Sequence, residues 1–183
     1  YSYEDACRLL NWEHNEVPLN IGGYKYDKAS YEDCAEIIHR YVKAALVDIR
    51  RFYRLILFNF ITLNDNPHLK NFSLIERNGE YRLSPAYDLI NTSLQLRNPR
   101  IFALDKGLFK EGMKLSDTRT ICRSDFVEFG KRIGLQERVI QQELKNFSTE
   151  QPMVKELLER SFLSEELKQH YYLSYKYRCL MLR

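Results

Sequence analysis

Residues 63–75 read LNDNPHLKNFSLI, and six of the eight positions from Asn64 to Asn71 carry hydrogen-bonding or charged side chains. The run before them, FYRLILFNFITL (52–63), is apolar, and the run after them, FSLIERNGEYRLS (72–84), alternates about Asn78-Gly79. From about Asp48 to Thr62, Ile49, Phe52, Leu55, Ile56, Phe60 and Leu63 recur at three- and four-residue steps. That spacing predicts a helix, nearly all buried. Asn78-Gly79 suits a type I′ turn, whose two central residues need positive φ, so the alternating run predicts a β-hairpin ending at Pro85. The polar cluster therefore lies at the seam between a core helix and a strand pair, where unpaired polar groups are costly.

Composition bounds what such a seam can serve. The 183 residues suffice for one well-cored domain. An ordinary apolar fraction, mixed charges and few Gly and Pro describe a globular chain. The longest apolar run, Leu55 to Leu63, is broken by Asn59 and too short to cross a bilayer, and the N-terminus shows no signal segment, so the expected address is cytoplasmic. Cys7, Cys34, Cys122 and Cys179 are widely spaced, which argues against a zinc site or a disulfide framework. A net charge of +3 does not by itself indicate nucleic-acid binding.

Most of the remaining chain reads as helix. YSYEDACRLL (1–10) and KASYEDCAEIIHRYV (28–42) each place Asp three residues after Ser, a variant of the capping box, at Ser2/Asp5 and Ser30/Asp33. Pro18 and Gly22-Gly23 mark a loop between them, and Pro99, Gly107 and Gly112 mark another beyond the hairpin. Further helices are expected from near Ser124 to Gly134, from Gln136 to Phe147, from Glu150 to Phe162 and from Glu165 onward. Tyr171, Tyr172, Tyr175 and Tyr177 in the last one suit core packing better than base stacking.

Asp88 lies just past the hairpin. A hairpin returns the chain to where it began, so residues before its first strand and after its second can converge on one ion. The order resembles the catalytic region of protein kinases, where a D-x-x-x-x-N loop precedes a hairpin that delivers a second, magnesium-binding Asp. Asn66 and Asn71 have that separation. Taken singly, Asp88 could cap a following helix, His68 could be an ordinary loop histidine and Asn71 a turn residue; their order favours the kinase-like arrangement.

A more specific resemblance is carried by HLKNFSLI (68–75) with GEYRLSPAYDLINT (79–92), supported by SYEDCAEIIHRY (30–41), RLILFNFITLNDNPHLKN (54–71) and SDFVEFGKRIGL (124–135). These segments resemble the C-terminal region of HipA-like serine/threonine-protein kinases, toxins of bacterial toxin–antitoxin pairs. The resemblance implies a mainly α, protein-kinase-like helical C-lobe over residues 1–183, with one β-hairpin carrying the metal-binding loop. It implies ATP and Mg²⁺ as cofactors. Asn66 falls at the position of the catalytic Asp, His68 and Lys70 belong to the catalytic loop, Asn71 and Asp88 bind magnesium, and His68, Tyr87 and Asp88 adjoin the nucleotide. Implied partners are a protein substrate such as an aminoacyl-tRNA synthetase, a helix-turn-helix antitoxin, operator DNA through that antitoxin, and no membrane.

Two departures shape the functional expectation. The family has Asp two residues before the loop His, whereas this chain has Asn66 there and Asp65 one place earlier. An amide has no useful basicity, and losing a general base costs roughly 10²–10⁴ in rate. An inactive lobe acting as a binding or regulatory module is therefore the alternative to an enzyme. The chain also carries neither the Gly-rich loop nor the strand Lys with which a kinase N-lobe grips ATP, so a missing or separately encoded N-lobe is expected. The isolated 183-residue chain should accordingly bind ATP weakly or not at all; submicromolar affinity by calorimetry would contradict this.

Overall fold

The computed structural model describes residues 3–14, 29–94, 100–115 and 121–183. The expected loop at Pro18 and Gly22-Gly23 lies outside the described residues, as do Ser2 and Pro99. Strand β1 (Tyr3–Asp5) leads into α1 (Ala6–His14), followed by α2 (Tyr31–Tyr41) and α3 (Ala45–Ile61). A 3-10 turn at Leu69–Asn71 precedes β2 (Ser73–Arg77) and β3 (Glu80–Leu83). The chain ends in α4 (Arg123–Arg132), α5 (Glu137–Ser148), α6 (Pro152–Glu159) and α7 (Glu165–Met181). Among the described residues no helix is long and apolar enough to cross a membrane.

The hairpin forms as its turn residues dictate, with Asn78 at φ 54° and Gly79 at φ 77° and with Leu74 opposite Leu83. The sheet is nevertheless not a lone hairpin. β1 adds antiparallel to the other edge of β2, Tyr3 opposite Ile75, giving the order β1-β2-β3. This overturns the helix start expected at Ser2. Residues 3–5 are drawn into the sheet, and Asp5 becomes the cap, its Oδ1 accepting the Arg8 N–H at 3.0 Å. The capping box at Ser30 and Asp33 forms as the sequence implies, Ser30 accepting from Asp33 N–H while Asp33 accepts from Ser30 N–H.

Helix α3 is the axis of the lobe, packing against α2, α5, α7 and β3. Its inner face supplies Ile49, Phe52, Tyr53, Ile56, Leu57 and Phe60, all buried. Phe52 meets Phe72 at 5.2 Å between ring centres, and Phe60 meets Phe126 at 4.8 Å, so one aromatic cluster joins α3 to the hairpin and to α4. The helix is less buried than its apolar content suggests. Leu46 and Val47 are exposed, and Arg50, Arg51 and Arg54 hold carboxylates at its outer side. Arg50 and Arg54 pair with the buried Glu143 of α5. Asp48 accepts the buried Leu83 N–H at 2.9 Å and pins the end of the hairpin to the first turn of α3.

Helices α4 to α7 occupy the places their periodicity implies, although α6 is shorter than expected, stopping at Glu159. The tyrosines of α7 pack as anticipated: Tyr175 is buried, Tyr171 and Tyr172 lie against the core, and Tyr177 is half exposed. Burial pushes the Tyr175 hydroxyl up to about 12. It therefore stays protonated and accepts the Gln151 N–H at the start of α6. Cys7, Cys34 and Cys179 are buried free thiols, and Cys122 is an exposed one.

Gly130 marks the closest approach of α4 to its neighbours. A Cβ placed there would lie 2.7 Å from Ile140 Cγ1 and 3.3 Å from Tyr53 Cε2, and both of those residues are fully buried. Alanine would gain up to about 1 kcal/mol in helix propensity, against roughly 1–3 kcal/mol for overpacking. Gly130→Ala should therefore lower stability by about 1 kcal/mol in urea denaturation, and an increase in stability would show that α4 and α5 separate without cost.

Candidate active site

The site is assembled where the chain leaves α3 and where it returns after β3. Leu63, at φ 55°, turns the backbone out of the helix. The returning segment is then sewn to it: Asn91 Nδ2 donates to the Thr62 carbonyl, Thr92 N–H and Oγ1 donate to the Leu63 carbonyl, and Thr92 Oγ1 accepts the Asp65 N–H. Beneath these lie Asn59 and Asn64, both buried and joined by a 3.0 Å hydrogen bond from Asn64 Nδ2. Tyr31 reaches the loop from α2, its hydroxyl donating to the Pro67 carbonyl at 3.0 Å. Burial drives the Tyr31 pKa far above its ordinary value, so this donor keeps its proton.

On this base Asn66, Asn71 and Asp88 come together. Asp88 Oδ2 accepts from Asn66 Nδ2 at 3.0 Å and from Asn71 Nδ2 at 2.8 Å. Asp88 is exposed and held at φ 56°, in the left-handed region, and residues 89–92 form no helix for it to cap. Asn71 Oδ1 accepts the His68 N–H at 3.0 Å, which closes the turn over Leu69–Asn71, and the same N–H also reaches the Asn66 carbonyl at 2.7 Å. His68 is buried, whereas Lys70 is exposed. The Tyr87 hydroxyl donates to the Lys70 carbonyl and lies 2.6 Å from Ser73 Oγ, bracing the loop against β2. Asp65 stands apart from this group: its Oδ2 accepts the Arg100 N–H at 2.8 Å.

Whether this group suits a divalent ion turns on its donor atoms. Among the described residues no three His, Cys, Asp or Glu side chains gather into a metal cluster. Mg²⁺ commonly takes only one or two protein carboxylates and completes its shell with water and phosphate oxygens. Asp88 could supply the carboxylate and Asn71 an amide oxygen. In the arrangement seen, both amides turn N–H groups toward Asp88 and so present their positive ends where a cation would sit. A half-turn of the Asn71 amide would exchange nitrogen for oxygen at the cost of the bond from the His68 N–H, which would keep the Asn66 carbonyl as its acceptor. The residues present therefore fit a magnesium ion in their chemistry.

Residues 1–154 match the family described as HipA-like C-terminal domain. The chain belongs to that family. It is 31% identical over 155 residues to a Haemophilus influenzae protein named "Putative kinase", covering 79% of this chain and 45% of that protein. It is 32% identical over 94 residues to a Sinorhizobium fredii protein, Y4dM, named in the same way, covering 51% and 22%. Among solved structures it resembles Shewanella oneidensis HipA, determined with HipB and operator DNA, at a TM-score of 0.64 and 15% identity, over 97% of this chain and 42% of that one. The shared fold is thus the HipA kinase-like one, mainly helical. The chain spans less than half the length of these relatives.

Asn59, Asn64, Thr92 and Tyr31 shape the site without having been candidates from the sequence. Asn59 carried a usable signal, as the one amide inside the apolar run 55–61. Asn64 lies within the polar cluster, but its partners, like those of Thr92 and Tyr31, are visible only once residues 59–67, residues 88–92 and α2 are seen side by side. Tyr87, expected beside a nucleotide, also braces the loop, its hydroxyl engaged by Ser73 and the Lys70 carbonyl. Tyr87→Phe should lower stability by about 1 kcal/mol and speed amide exchange across residues 68–73; unchanged exchange there would remove its bracing role.

Proposed function

We propose that the chain is the C-terminal lobe of a HipA-like serine/threonine-protein kinase, the toxin of a bacterial toxin–antitoxin pair. The intact protein would transfer the ATP γ-phosphate to a Ser or Thr of a protein target such as an aminoacyl-tRNA synthetase. The observation that carries this reading is the convergence of Asn66 and Asn71, from one loop, on the Asp88 carboxylate delivered by the hairpin. Family membership and the fold shared with HipA support it.

Each residue then has a role that its placement permits. Asp88 and Asn71 would hold Mg²⁺, which when bound neutralises charge on the phosphate oxygens. Lys70, exposed at the turn, adds a positive charge next to Asn71. His68 and Tyr87 brace the loop, one through its backbone N–H on the Asn66 carbonyl and the other through its hydroxyl on the Lys70 carbonyl. Asp88 stands on an exposed surface, which suits a lobe whose nucleotide is covered by an N-lobe. A helix-turn-helix antitoxin, and operator DNA through it, are the matching partners, as HipB and DNA are for the Shewanella protein.

A second reading has its own support. The Asn66 amide occupies the base position and donates to Asp88, where a carboxylate would repel it. The lobe could thus serve as a catalytically inactive binding module. Introducing Asn66→Asp into the full-length protein separates the two readings. An enzyme should gain about 10²–10⁴ in phosphotransfer from radiolabelled ATP, while Asp65→Asn, which removes only the charge at the Arg100 N–H, should change little. No gain in Asn66→Asp that binds Mg·ATP would favour the binding module, and loss of an existing activity in Asp65→Asn would make Asp65 the base.

A further inference from the structure

One buried side chain touches both halves of the site. Asn64 is 2% exposed. Its Nδ2 donates to Asn59 Oδ1 at 3.0 Å and to the Asp88 carbonyl at 3.1 Å, and its Oδ1 accepts the Asn66 N–H at 3.1 Å. Both amide hydrogens and the amide oxygen are used, so the group cannot turn without losing a bond. Asn59, also buried, roots it in α3. The two backbone groups it joins belong to the two residues whose side chains meet, Asn66 and Asp88. Asp88 is moreover the residue in the left-handed conformation, which persists only where its surroundings over-determine it.

We propose that Asn64 is a positioning residue for the metal carboxylate: by bridging the Asn66 N–H and the Asp88 carbonyl it sets how far Asp88 stands from the loop. The inference rests on the reading of Asp88 as a magnesium ligand. It separates positioning from mere packing, because a packing role would affect stability alone, whereas a supporting partner of a metal ligand changes affinity for the ion. Removing such a partner typically weakens binding 10–100-fold.

The test measures Mn²⁺ binding to the full-length protein with ATP by electron paramagnetic resonance, alongside thermal unfolding in EDTA. Asn64→Asp keeps size and the acceptor for the Asn66 N–H but has no N–H for the Asp88 carbonyl or for Asn59 Oδ1. It should bind Mn²⁺ about 10–100-fold more weakly while remaining folded. Asn59→Ala removes only the root in α3, should show a smaller loss of the same sign, and decides the question alone if Asn64→Asp does not fold. Asp88→Asn is the control for the metal reading. If it loses Mn²⁺ while the folded Asn64 and Asn59 variants bind like the unaltered protein, the positioning role is overturned and the metal reading stands. If the unaltered protein binds no Mn²⁺, or Asp88→Asn binds it equally well, the metal reading falls and the inference with it.

Discussion

Everything at the site depends on how the chain leaves α3. The helix ends inside the lobe, where its last carbonyls and the next amides have little water to turn to, and a buried polar group left unpaired costs about 1–3 kcal/mol. The solution is a set of short-range exchanges: the Thr62 carbonyl to Asn91, the Leu63 carbonyl to Thr92, the Asn64 N–H to the Asn59 carbonyl. Of the polar cluster at residues 64–71, the buried Asn64 is thus first a requirement of burial, its side chain pairing with Asn59, the Asn66 N–H and the Asp88 carbonyl. The cluster's chemistry becomes available because the same exchanges fix two loops side by side.

The hairpin makes those exchanges possible by bringing Asp88 to Thr92 back beside residues 62–66. Its return is secured at both ends, by the Asn78-Gly79 turn and by the Asp48 carboxylate on the Leu83 N–H. That bond commits a buried acid in the first turn of α3 to the backbone of β3. The aromatic contact of Phe52 with Phe72 supports the other strand. Core packing and site geometry therefore share the same elements, and a shift of α3 along its axis would move the sheet and the carboxylate together.

Much of this was legible in the sequence, for identifiable reasons. Local signals sufficed where no distant segment competed: Ser30 with Asp33, the Asn78-Gly79 turn and the helical spacing of 124–181 each rest on residues within a turn of one another. Family resemblance brought Asn66, Asn71 and Asp88 together before any coordinates did. Illegible were the effects of residues far apart in sequence. Tyr3–Asp5 reads as a capped helix start until the open edge of β2 is present to pair with it. Tyr87 shows its bracing role only when the Lys70 carbonyl, 17 residues away, stands 2.6 Å from its hydroxyl.

The contrast between Asp65 and Asn66 shows how strictly the scaffold assigns roles to neighbours. Asp65 has the acid, but its N–H is held by Thr92 and its carboxylate by the Arg100 N–H, so it is turned to the connection beyond the hairpin. Asn66 has the orientation toward Asp88 but lacks the acid. Pro67 follows directly, restricting the backbone of Asn66, and its own carbonyl is held by Tyr31. A loop held at each of these points cannot slip by one residue to exchange the two side chains. The scaffold therefore turns the Asn66 amide, and not the Asp65 carboxylate, toward Asp88.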